Sequence, residues 1–405
     1  MEHNIDHLIN KEIDNHVPKS IGHVNEYIHA NPELGYEEIK AHDLFVSTLT
    51  DLGYKVTPHA YGLNTAFEAE FGSEGRLVVF NAEYDALPGI GHACGHNLIA
   101  SASFAAFLGV AAALKASDNP GRVRILGTPA EEGGGGKLKL IDAGAYRGVS
   151  ACLMVHPGPG YKLTPPLRGA SYINMLANIK MRIYFTGREA HASIAPWDGV
   201  NALDAVCLSY NGISMLRQQI HPDERIHGVI RSGGGTPNVT PSDCCVDYYV
   251  RSGTRKRARE LWERVLKCFE GAALATGCSV RLEELNSYSD LRSSPLICKA
   301  YVQAMPDGSV AYDEASDFLS GSTDMGDVSY QCPSFHGAFG IKTGHGEANH
   351  TKGFAVAAGT EDSFARAIEC GKGMASVGWK VLADDEFAEQ IKKAWEADMV
   401  RAEEE

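Results

Sequence analysis

Two absences limit the class of protein to which this chain can belong. It has only 10 cysteines in 405 residues, and its first residues, MEHNIDHLINKEID, include neither the basic nor the apolar region of a secretory signal. We therefore expect no disulfide-stapled secreted domain, but reduced thiols and a cytoplasmic location. No uncharged apolar run reaches the roughly 18 residues of a membrane span, so we expect no membrane association and predict a buried helix in the alanine-rich residues 98–114.

Positive charge and proline are also in short supply. Lys and Arg total 37 against 51 Asp and Glu, which leaves a net charge of −14. The one basic cluster, residues 255–259, begins a predicted helix and is expected to be a solvated face, so we expect no nucleic-acid partner. With 17 prolines and 44% hydrophobic residues, the chain is not disordered or of low complexity. Glycine, by contrast, is plentiful at 43 residues and indicates many tight backbone turns.

The order of the predicted elements in the first part of the chain indicates an α/β fold. Residues 76–84, 122–128 and 150–156 are apolar runs that we predict as strands, and a helix is predicted at 98–115 between the first two. Strands that alternate with helices are typical of an α/β sheet.

The pattern changes near residue 176. The predicted elements there are strands at 176–186, 225–231, 243–251 and 279–285 and helices at 199–219 and 255–275. Their order, β-α-β-β-α-β, is typical of a ferredoxin-like α+β domain. We therefore predict two domains: a discontinuous one, 1–173 and 287–405, with a mixed and mostly parallel sheet flanked by helices, and an inserted ferredoxin-like one, 174–286.

Groups able to bind a metal crowd a glycine-rich loop after the first predicted strand. This loop, residues 83–97, reads EYDALPGIGHACGHN and contains Cys94 and His96. Ligands of open α/β sheets bind beyond the carboxyl ends of the strands, and a thiolate together with an imidazole suits zinc. The alternative interpretation is a loop with a buried cysteine and polar side chains that cap the next helix.

Two further strand ends carry residues of the same kind. Glu131 and Glu132 follow the second strand, where one carboxylate could bind a metal and the other act as general base, or both could be solvated. His156 ends the third strand, where a lone histidine is more often a core residue. Because three successive strand ends carry metal-type ligands, we predict a metal site at this edge of the sheet. Either His345 or His350 could complete the site, and the residue pattern does not choose between them.

Other catalytic motifs are absent from the sequence. It contains no H-E-x-x-H zinc helix, no G-x-S-x-G nucleophile elbow and no G-x-G-x-x-G after a strand. The four glycines before Lys137 do not form a phosphate-binding loop, because Leu138 stands where that motif needs Ser or Thr. The chemistry therefore depends on the Cys, His and Glu residues.

Segments along most of the chain resemble one enzyme family. They are HANPELGYEE from His29, PAEEGGGG from Pro129, GREAHASIAPWDGVNALDA from Gly187, GSTDMGDVSYQCPSFH from Gly321 and HTKGFAVAAGTED from His350. With the 83–97 loop, their order and spacing resemble the dinuclear-metal aminoacylase and dipeptidase family of metallopeptidases. The loop looks like that of the amidohydrolase branch, which contains p-aminobenzoyl-glutamate hydrolase and β-alanyl-lysine dipeptidase.

The resemblance implies a two-metal centre and a hydrolytic activity. The implied ligands of the two divalent ions are Cys94, His96, Glu132, His156 and His350. Zinc is favoured by the thiolate, and manganese is the alternative. Glu131 is implied as the general base, and Asp85 as the residue that supports the ligand geometry. The expected reaction is cleavage of the amide bond of a small N-acyl amino acid or dipeptide by a metal-activated water.

The resemblance also implies roles for the inserted domain, as a lid and as the contact that forms a homodimer. His191 matches a histidine that reaches the partner subunit's active site and stabilises the oxyanion, and Asn238 matches a position that holds substrate. Arg251 and Arg292 are candidates for binding a substrate carboxylate, with an ion pair as the alternative for each. His336 is a candidate for the substrate pocket, although Gly337 follows it where the relatives tend to have proline.

Two competing hypotheses remain open at this stage. Cys94 could be a nucleophile with His96 or His92 as its base, which a test with a chelator would separate from metal catalysis. Alternatively, the protein could be a non-hydrolytic metal-binding member of the family that acts as a scaffold or in one dedicated biosynthetic step.

Overall fold

The computed structural model describes residues 2–316 and 318–405 and divides the chain into two units. The large unit comprises Met1–Met175 and Leu291–Arg401, and the small unit comprises Leu176–Asp290 and Ala402–Glu405.

The strands in chain order are β1 Lys55–Pro58, β2 Phe67–Phe71, β3 Arg76–Ala82, β4 Gly121–Gly127, β5 Ala151–Pro159, β6 Gly169–Ala170, β7 Ala177–Thr186, β8 Arg225–Ser232, β9 Asp243–Ser252, β10 Ser279–Tyr288, β11 Val310–Ala311 and β12 Ser334–Ile341. The α-helices are α1 Glu2–His16, α2 Gly22–Ala30, α3 Ile39–Asp51, α4 His96–Lys115, α5 Gly136–Asp142, α6 Ala202–Met215, α7 Arg255–Thr276, α8 Pro295–Ala304, α9 Met325–Ser329, α10 Lys352–Ala358, α11 Glu361–Ala383 and α12 Asp385–Glu404. A π-helical segment, Val17–Ile21, lies between α1 and α2.

The sheet of the large unit has the strand order β1-β2-β4-β3-β5-β12-β6-β11. The pairs β4–β3, β3–β5, β5–β12 and β6–β11 are parallel, whereas β1–β2, β2–β4 and β12–β6 are antiparallel. The predicted α/β fold with a mixed, mostly parallel sheet flanked by helices is confirmed.

Strand β3 shows why this sheet is covered on both faces. Val78 and Phe80 pack in one apolar cluster, and Leu77 and Val79 pack in another on the opposite face. Successive side chains of a strand point to opposite faces, so a continuous apolar run is typical of a parallel strand covered by helices on both sides.

The apolar helix α4 lies inside the large unit. It is the one helix, among the residues that the structure describes, whose length and composition would suit a membrane span, and 94% of its apolar window is buried in the protein. Its small side chains let α11 pack closely: a Cβ atom on Gly371 of α11 would lie 2.7 Å from the carbonyl oxygen of Ala102. The prediction of a buried helix in this stretch is confirmed.

The small unit has a four-stranded antiparallel sheet with the order β10-β7-β9-β8. Helices α6 and α7 cover one face, where Phe185, Val206, Val250 and Phe269 belong to the apolar core. This strand order and the β-α-β-β-α-β sequence are those of the predicted ferredoxin-like fold. Strand β8 is an edge strand.

The topology of the large unit brings three chain segments to one edge. Strands β4, β3 and β5 are neighbours and run parallel, so their carboxyl ends lie together. The residues that follow β3 and β4 and those at the end of β5 therefore meet, as the sequence predicted.

Candidate metal centre

The metal-type ligands are carried by the carboxyl ends of these strands and by two loops. Glu131 and Glu132 follow β4, and His156 lies near the end of β5. His96 is the first residue of α4, directly after Gly95, whose φ of 78° places the chain in the left-handed region. His350 precedes α10 and also has a positive φ, 68°.

Six side chains converge in this place. Three groups of donor atoms have all members within 4.8 Å of one another: Cys94, His96 and His156; Cys94, Glu132 and His350; and His96, Glu131 and Glu132. The Sγ atom of Cys94 is 3.4 Å from Nε2 of His156, and Nε2 of His350 is 3.3 Å from Oε1 of Glu132. His345, the other candidate in the same loop, instead lies against the ring of Tyr161 with centroids 5.1 Å apart.

Hydrogen bonds on the outer side of the two buried histidines orient their rings. Nδ1 of His96 is 3.0 Å from Oδ1 of Asp85, and Nδ1 of His156 donates to the carbonyl oxygen of Pro157 at 2.8 Å. In both rings Nε2 therefore points into the cluster, which is the arrangement that metal-binding histidines adopt. Asp85 also accepts the backbone N–H of Glu132 at 3.0 Å, so that one carboxylate holds two of the predicted ligands.

The donor set fits a pair of divalent ions. Nε2 of His96 and Oε1 of Glu132 are buried and have no hydrogen-bond partner among the described residues. Burying a polar atom costs free energy unless the atom forms a hydrogen bond or coordinates a metal ion. One sulfur, three imidazole nitrogens and carboxylate oxygens form a mixed set that suits zinc.

Burial and the neighbouring carboxylates raise the pKa values of two groups in the site. Burial, followed by the charge of Glu132, raises the pKa of the Cys94 thiol, so the thiolate forms only if a cation stabilises it. Burial, together with the carboxylates of Glu83, Glu132 and Asp324, raises the pKa of Glu131. Burial also opposes ionisation of Glu132, but its close contact with the His350 ring and the charge of His96 outweigh burial and lower its pKa.

A buried ion network behind the site was not expected from the sequence. Nζ of Lys137 donates to Oε1 of Glu83 at 2.5 Å and to Oδ1 of Asp324 at 2.6 Å, and all three side chains are excluded from solvent. Carboxylate oxygens of Glu83, Glu131 and Asp324 lie within 4.8 Å of one another. Lys137 is therefore the internal cation that offsets this concentration of negative charge.

In the small unit, His191 and Asn238 are neighbours. Residues His191 and Val239 form an isolated β-bridge, and the backbone N–H of Ala192 donates to the carbonyl oxygen of Asn238 at 2.9 Å. Both His191 and Asn238 are exposed. Nδ1 of His191 accepts the backbone N–H groups of Ser193 and Ile194, each at 3.3 Å, so a neutral ring carries its proton on Nε2. That proton is available for donation to a ligand.

None of the three remaining candidates belongs to these groups of donor atoms. Arg251, in β9, donates from Nε to Nε2 of His227 at 3.3 Å. Arg292 makes a bidentate ion pair with Asp398 at 2.7 and 2.9 Å, the alternative that we considered for it.

His336 lies in β12, next to His156, one of the predicted ligands. It is fully buried, its ring centroid is 5.9 Å from that of His156, and neither ring nitrogen has a hydrogen-bond partner among the described residues. Burial, with the charge of a protonated His156, lowers the pKa of His336 and keeps its ring neutral. Its predicted role in a substrate pocket stays a prediction.

The sequence of this chain is similar to a known peptidase family and to characterised hydrolases. The profile of peptidase family M20/M25/M40 matches residues 79–375 of this chain. A Xaa-Arg dipeptidase from Mus musculus is 38% identical over 390 residues, covering 92% of this chain and 88% of that protein. One of the p-aminobenzoyl-glutamate hydrolase subunits of Escherichia coli (strain K12) is 34% identical over 275 residues, covering 64% of this chain and 56% of that protein.

Solved structures share the fold. An aminobenzoyl-glutamate utilization protein from Klebsiella pneumoniae superposes with a TM-score of 0.70 at 20% identity, over 91% of this chain and 98% of that one. A dinuclear metal-binding peptidase of family M20 from Bacillus subtilis superposes with a TM-score of 0.64 at 20% identity, over 89% and 97% of the two chains.

Proposed function

Because the chain belongs to peptidase family M20/M25/M40, whose members are hydrolases, we propose that it is a metal-dependent amidohydrolase that cleaves dipeptides. The family assignment agrees with the resemblance noted in the sequence. The observation that carries the proposal is the convergence of six side chains in overlapping groups whose donor atoms lie within 4.8 Å of one another: Cys94, His96, Glu131, Glu132, His156 and His350. We assign Glu131 as the general base and the other five as ligands of two divalent ions, with zinc favoured over manganese.

The proposed mechanism assigns a task to each buried group. Two divalent ions held by these ligands would polarise the scissile carbonyl and make the attacking water more acidic. The carboxylate of Glu131, with Oε2 4.0 Å from Nε2 of His96, accepts the proton of that water and later passes it to the leaving nitrogen. Asp85 hydrogen-bonds to His96 and to the backbone of Glu132, which fixes the positions of the ligands relative to the base.

We propose that His191 stabilises the negative charge that develops on the carbonyl oxygen. Its Nε2–H is exposed and oriented by the backbone N–H groups that bind Nδ1. Asn238, its neighbour, is proposed to hold the substrate. We also propose that Arg251, Arg292 and His336 contribute to substrate binding. Arg292 has the least support of the three, because its guanidinium group is already paired with Asp398.

We propose dipeptides with a basic C-terminal residue as substrates, because the Xaa-Arg dipeptidase aligns over far more of this chain than the p-aminobenzoyl-glutamate hydrolase does. The test is the release of free amino acid from alanyl-arginine, β-alanyl-lysine, alanyl-glutamate, p-aminobenzoyl-glutamate and an N-acetyl amino acid by the zinc- or manganese-loaded protein. We expect kcat/KM for alanyl-arginine to exceed that for p-aminobenzoyl-glutamate by about 10-fold or more. If the loaded protein cleaves none of these amides, the non-hydrolytic hypothesis is favoured.

We also propose that the small unit acts as a lid and provides the contact between the two subunits of a homodimer. Its edge strand β8 exposes Val229 and Ile230 at 57% and 49%, and α6 exposes Tyr210 and Met215 at 50% and 76%. An exposed apolar edge strand is a template for pairing with a second copy.

The ten free cysteines suit a reducing compartment, and we propose the cytoplasm as the location of the protein.

Changing His191 to alanine is expected to lower kcat by about 100-fold and to leave the metal content unchanged, since His191 is proposed to donate a hydrogen bond to the oxyanion and to bind no metal. The measurement is steady-state kinetics together with elemental analysis. Loss of metal from this variant would contradict the assignment.

A mixing experiment tests whether His191 serves the partner subunit. His191→Ala and Glu131→Gln homodimers are unfolded together and refolded to exchange subunits. If His191 acts across the dimer, one site of each mixed dimer is intact, and about a quarter of wild-type activity returns. If it acts within its own subunit, no activity returns, and the dimer proposal is tested separately by light scattering.

A further inference from the structure

The N-terminal motif HANPELGYEE has no place in the mechanism above, yet part of it contacts the loop that carries Glu131. Residues 35–38 of this motif, which we call the bracing segment, contact residues 130–134, which we call the base loop. Oε1 of Glu38 accepts the backbone N–H of Ala130 at 2.8 Å. The hydroxyl of Tyr36 donates to the carbonyl oxygen of Gly134 at 2.6 Å.

The two segments are also packed without space between them. A Cβ atom on Gly35 would lie 2.9 Å from Cβ of Ala130, and a Cβ atom on Gly134 would lie 2.5 Å from the ring of Tyr36. Both positions therefore need glycine, because any larger side chain would push the base loop away from the bracing segment.

The backbone of the base loop is in a conformation that needs support. Ala130, directly before Glu131, has a φ of 59°, in the left-handed region that residues with a Cβ rarely adopt. Such a conformation persists only when its surroundings impose it, and it occurs most often at functional sites. The hydrogen bond from Ala130 to Glu38 on one side of Glu131 and that from Glu132 to Asp85 on the other provide this support.

Capping of the next helix does not account for the burial of Glu38. It precedes helix α3, but its side chain does not cap that helix. The backbone N–H groups of Lys40 and Ala41 donate instead to the two carboxylate oxygens of Glu33, each at 3.0 Å. Glu38 is completely excluded from solvent, and burial, together with the charge of Asp85, raises its pKa to about 7. A carboxyl group held in this costly position is consistent with a task outside its own helix.

We propose that Glu38 is a positioning residue that holds the base loop in the strained conformation which aims Glu131 at the reacting water, with Tyr36 as a second support. This inference rests on the proposed role of Glu131 as general base. Neither residue belongs to the groups of possible metal ligands, so the loss of either support is expected to change the orientation of the base and leave the ligands in place.

The test uses the metal-loaded, full-length protein with three variants: Glu38→Ala, Glu38→Gln and Tyr36→Phe. Glu38→Ala is expected to lower kcat by about 30-fold, because a misplaced base loses the geometry that catalysis needs, whereas KM changes less than about 2-fold. Glu38→Gln keeps an oxygen that accepts from Ala130 and is expected to restore kcat to within about 3-fold of the wild type. Tyr36→Phe is expected to lower kcat by about 5-fold.

A matched control and a metal assay distinguish positioning from general damage. Glu37 is the exposed neighbour of Glu38, and Glu37→Ala should have wild-type kinetics. The proposal predicts that all variants keep their full metal content and that only kcat falls. It is wrong if Glu38→Ala retains wild-type kcat, if it loses metal, or if Glu38→Gln is as slow as Glu38→Ala. If Glu38→Ala does not fold, a wild-type kcat in Tyr36→Phe overturns the proposal.

A separate variant distinguishes failure of this proposal from failure of the proposed function. If Glu131→Gln is inactive while Glu38→Ala is fully active, the base assignment holds and the bracing role is wrong. If Glu131→Gln retains full activity, the proposed function itself fails, whatever the Glu38 variants do.

Discussion

Replacing Glu131 with glutamine is expected to lower kcat by about 1,000-fold or more while the protein keeps its metal, because the amide cannot accept a proton from water. The substitution conserves the shape of the side chain and removes negative charge from a place where burial and the carboxylates of Glu83 and Asp324 already oppose it. The variant should therefore fold at least as stably as the wild type. Steady-state kinetics on alanyl-arginine, elemental analysis and a thermal melt measure the three quantities.

The neighbouring glutamate provides the matched control for this variant. Glu132, one residue away, has Oε1 3.3 Å from Nε2 of His350 and is the proposed metal ligand. Glu132→Gln is expected to lose both metal and activity, whereas Glu131→Gln loses only activity. Full hydrolysis by Glu131→Gln would exclude it as the base, and loss of metal from that variant would mean that the two glutamates have been assigned in the wrong order.

The position of the candidate site could be predicted because parallel strands impose it. Glu131 and His156 are 25 positions apart in the chain, but β4 and β5 flank β3 and end at the same edge. Any polar residues directly after such strands must meet, whatever their separation in sequence. The individual roles of these residues came from the resemblance to the family, since spacing alone did not choose between His345 and His350.

The ion network behind the site could not be predicted, for two reasons. Lys137 alternates with apolar residues in the stretch Lys137-Leu138-Lys139-Leu140, a pattern that indicates an exposed amphipathic segment, and lysine is rarely buried. Its partners are 54 and 187 positions away in the sequence, so no local pattern connects them. Lys139, two residues further along the chain, is exposed, as the alternating pattern predicts.

Strand β12 was missed for a related reason. It reads SFHGAFGI, and its two glycines weaken the strand pattern. The structure explains one of them: a Cβ atom on Gly340 would lie 2.9 Å from the backbone of Gly160. The close approach of these two backbones therefore requires glycine at position 340, although glycine weakens the prediction of a strand. The strands that pair with β12, β5 and β6, are far away in the chain, so only the tertiary structure identifies them.

Removing the metal with a chelator is expected to lower activity by more than about 100-fold, and adding zinc or manganese back is expected to restore it. Without a cation, burial raises the pKa values of both Glu131 and the Cys94 thiol. Both groups then ionise less readily, which disfavours Glu131 as a base and Cys94 as a nucleophile. A nucleophilic Cys94, by contrast, would not need added metal, and activity that survives complete removal of metal would favour that mechanism.

The cysteine itself provides the control for this experiment. Cys94→Ala is expected to bind metal more weakly and to lose activity, whereas Cys152→Ala, which changes another buried thiol of the same unit, should keep both. Metal binding also stabilises the fold by mass action, by about 4 kcal/mol at a free metal concentration 1,000 times Kd, so chelation should lower the melting temperature of the wild type. Without the metal, less positive charge offsets a crowded set of five carboxyl groups: Glu83, Asp85, Glu131, Glu132 and Asp324. A chelated protein that melts at the holoprotein's temperature would therefore contradict the metal assignment independently of any activity measurement.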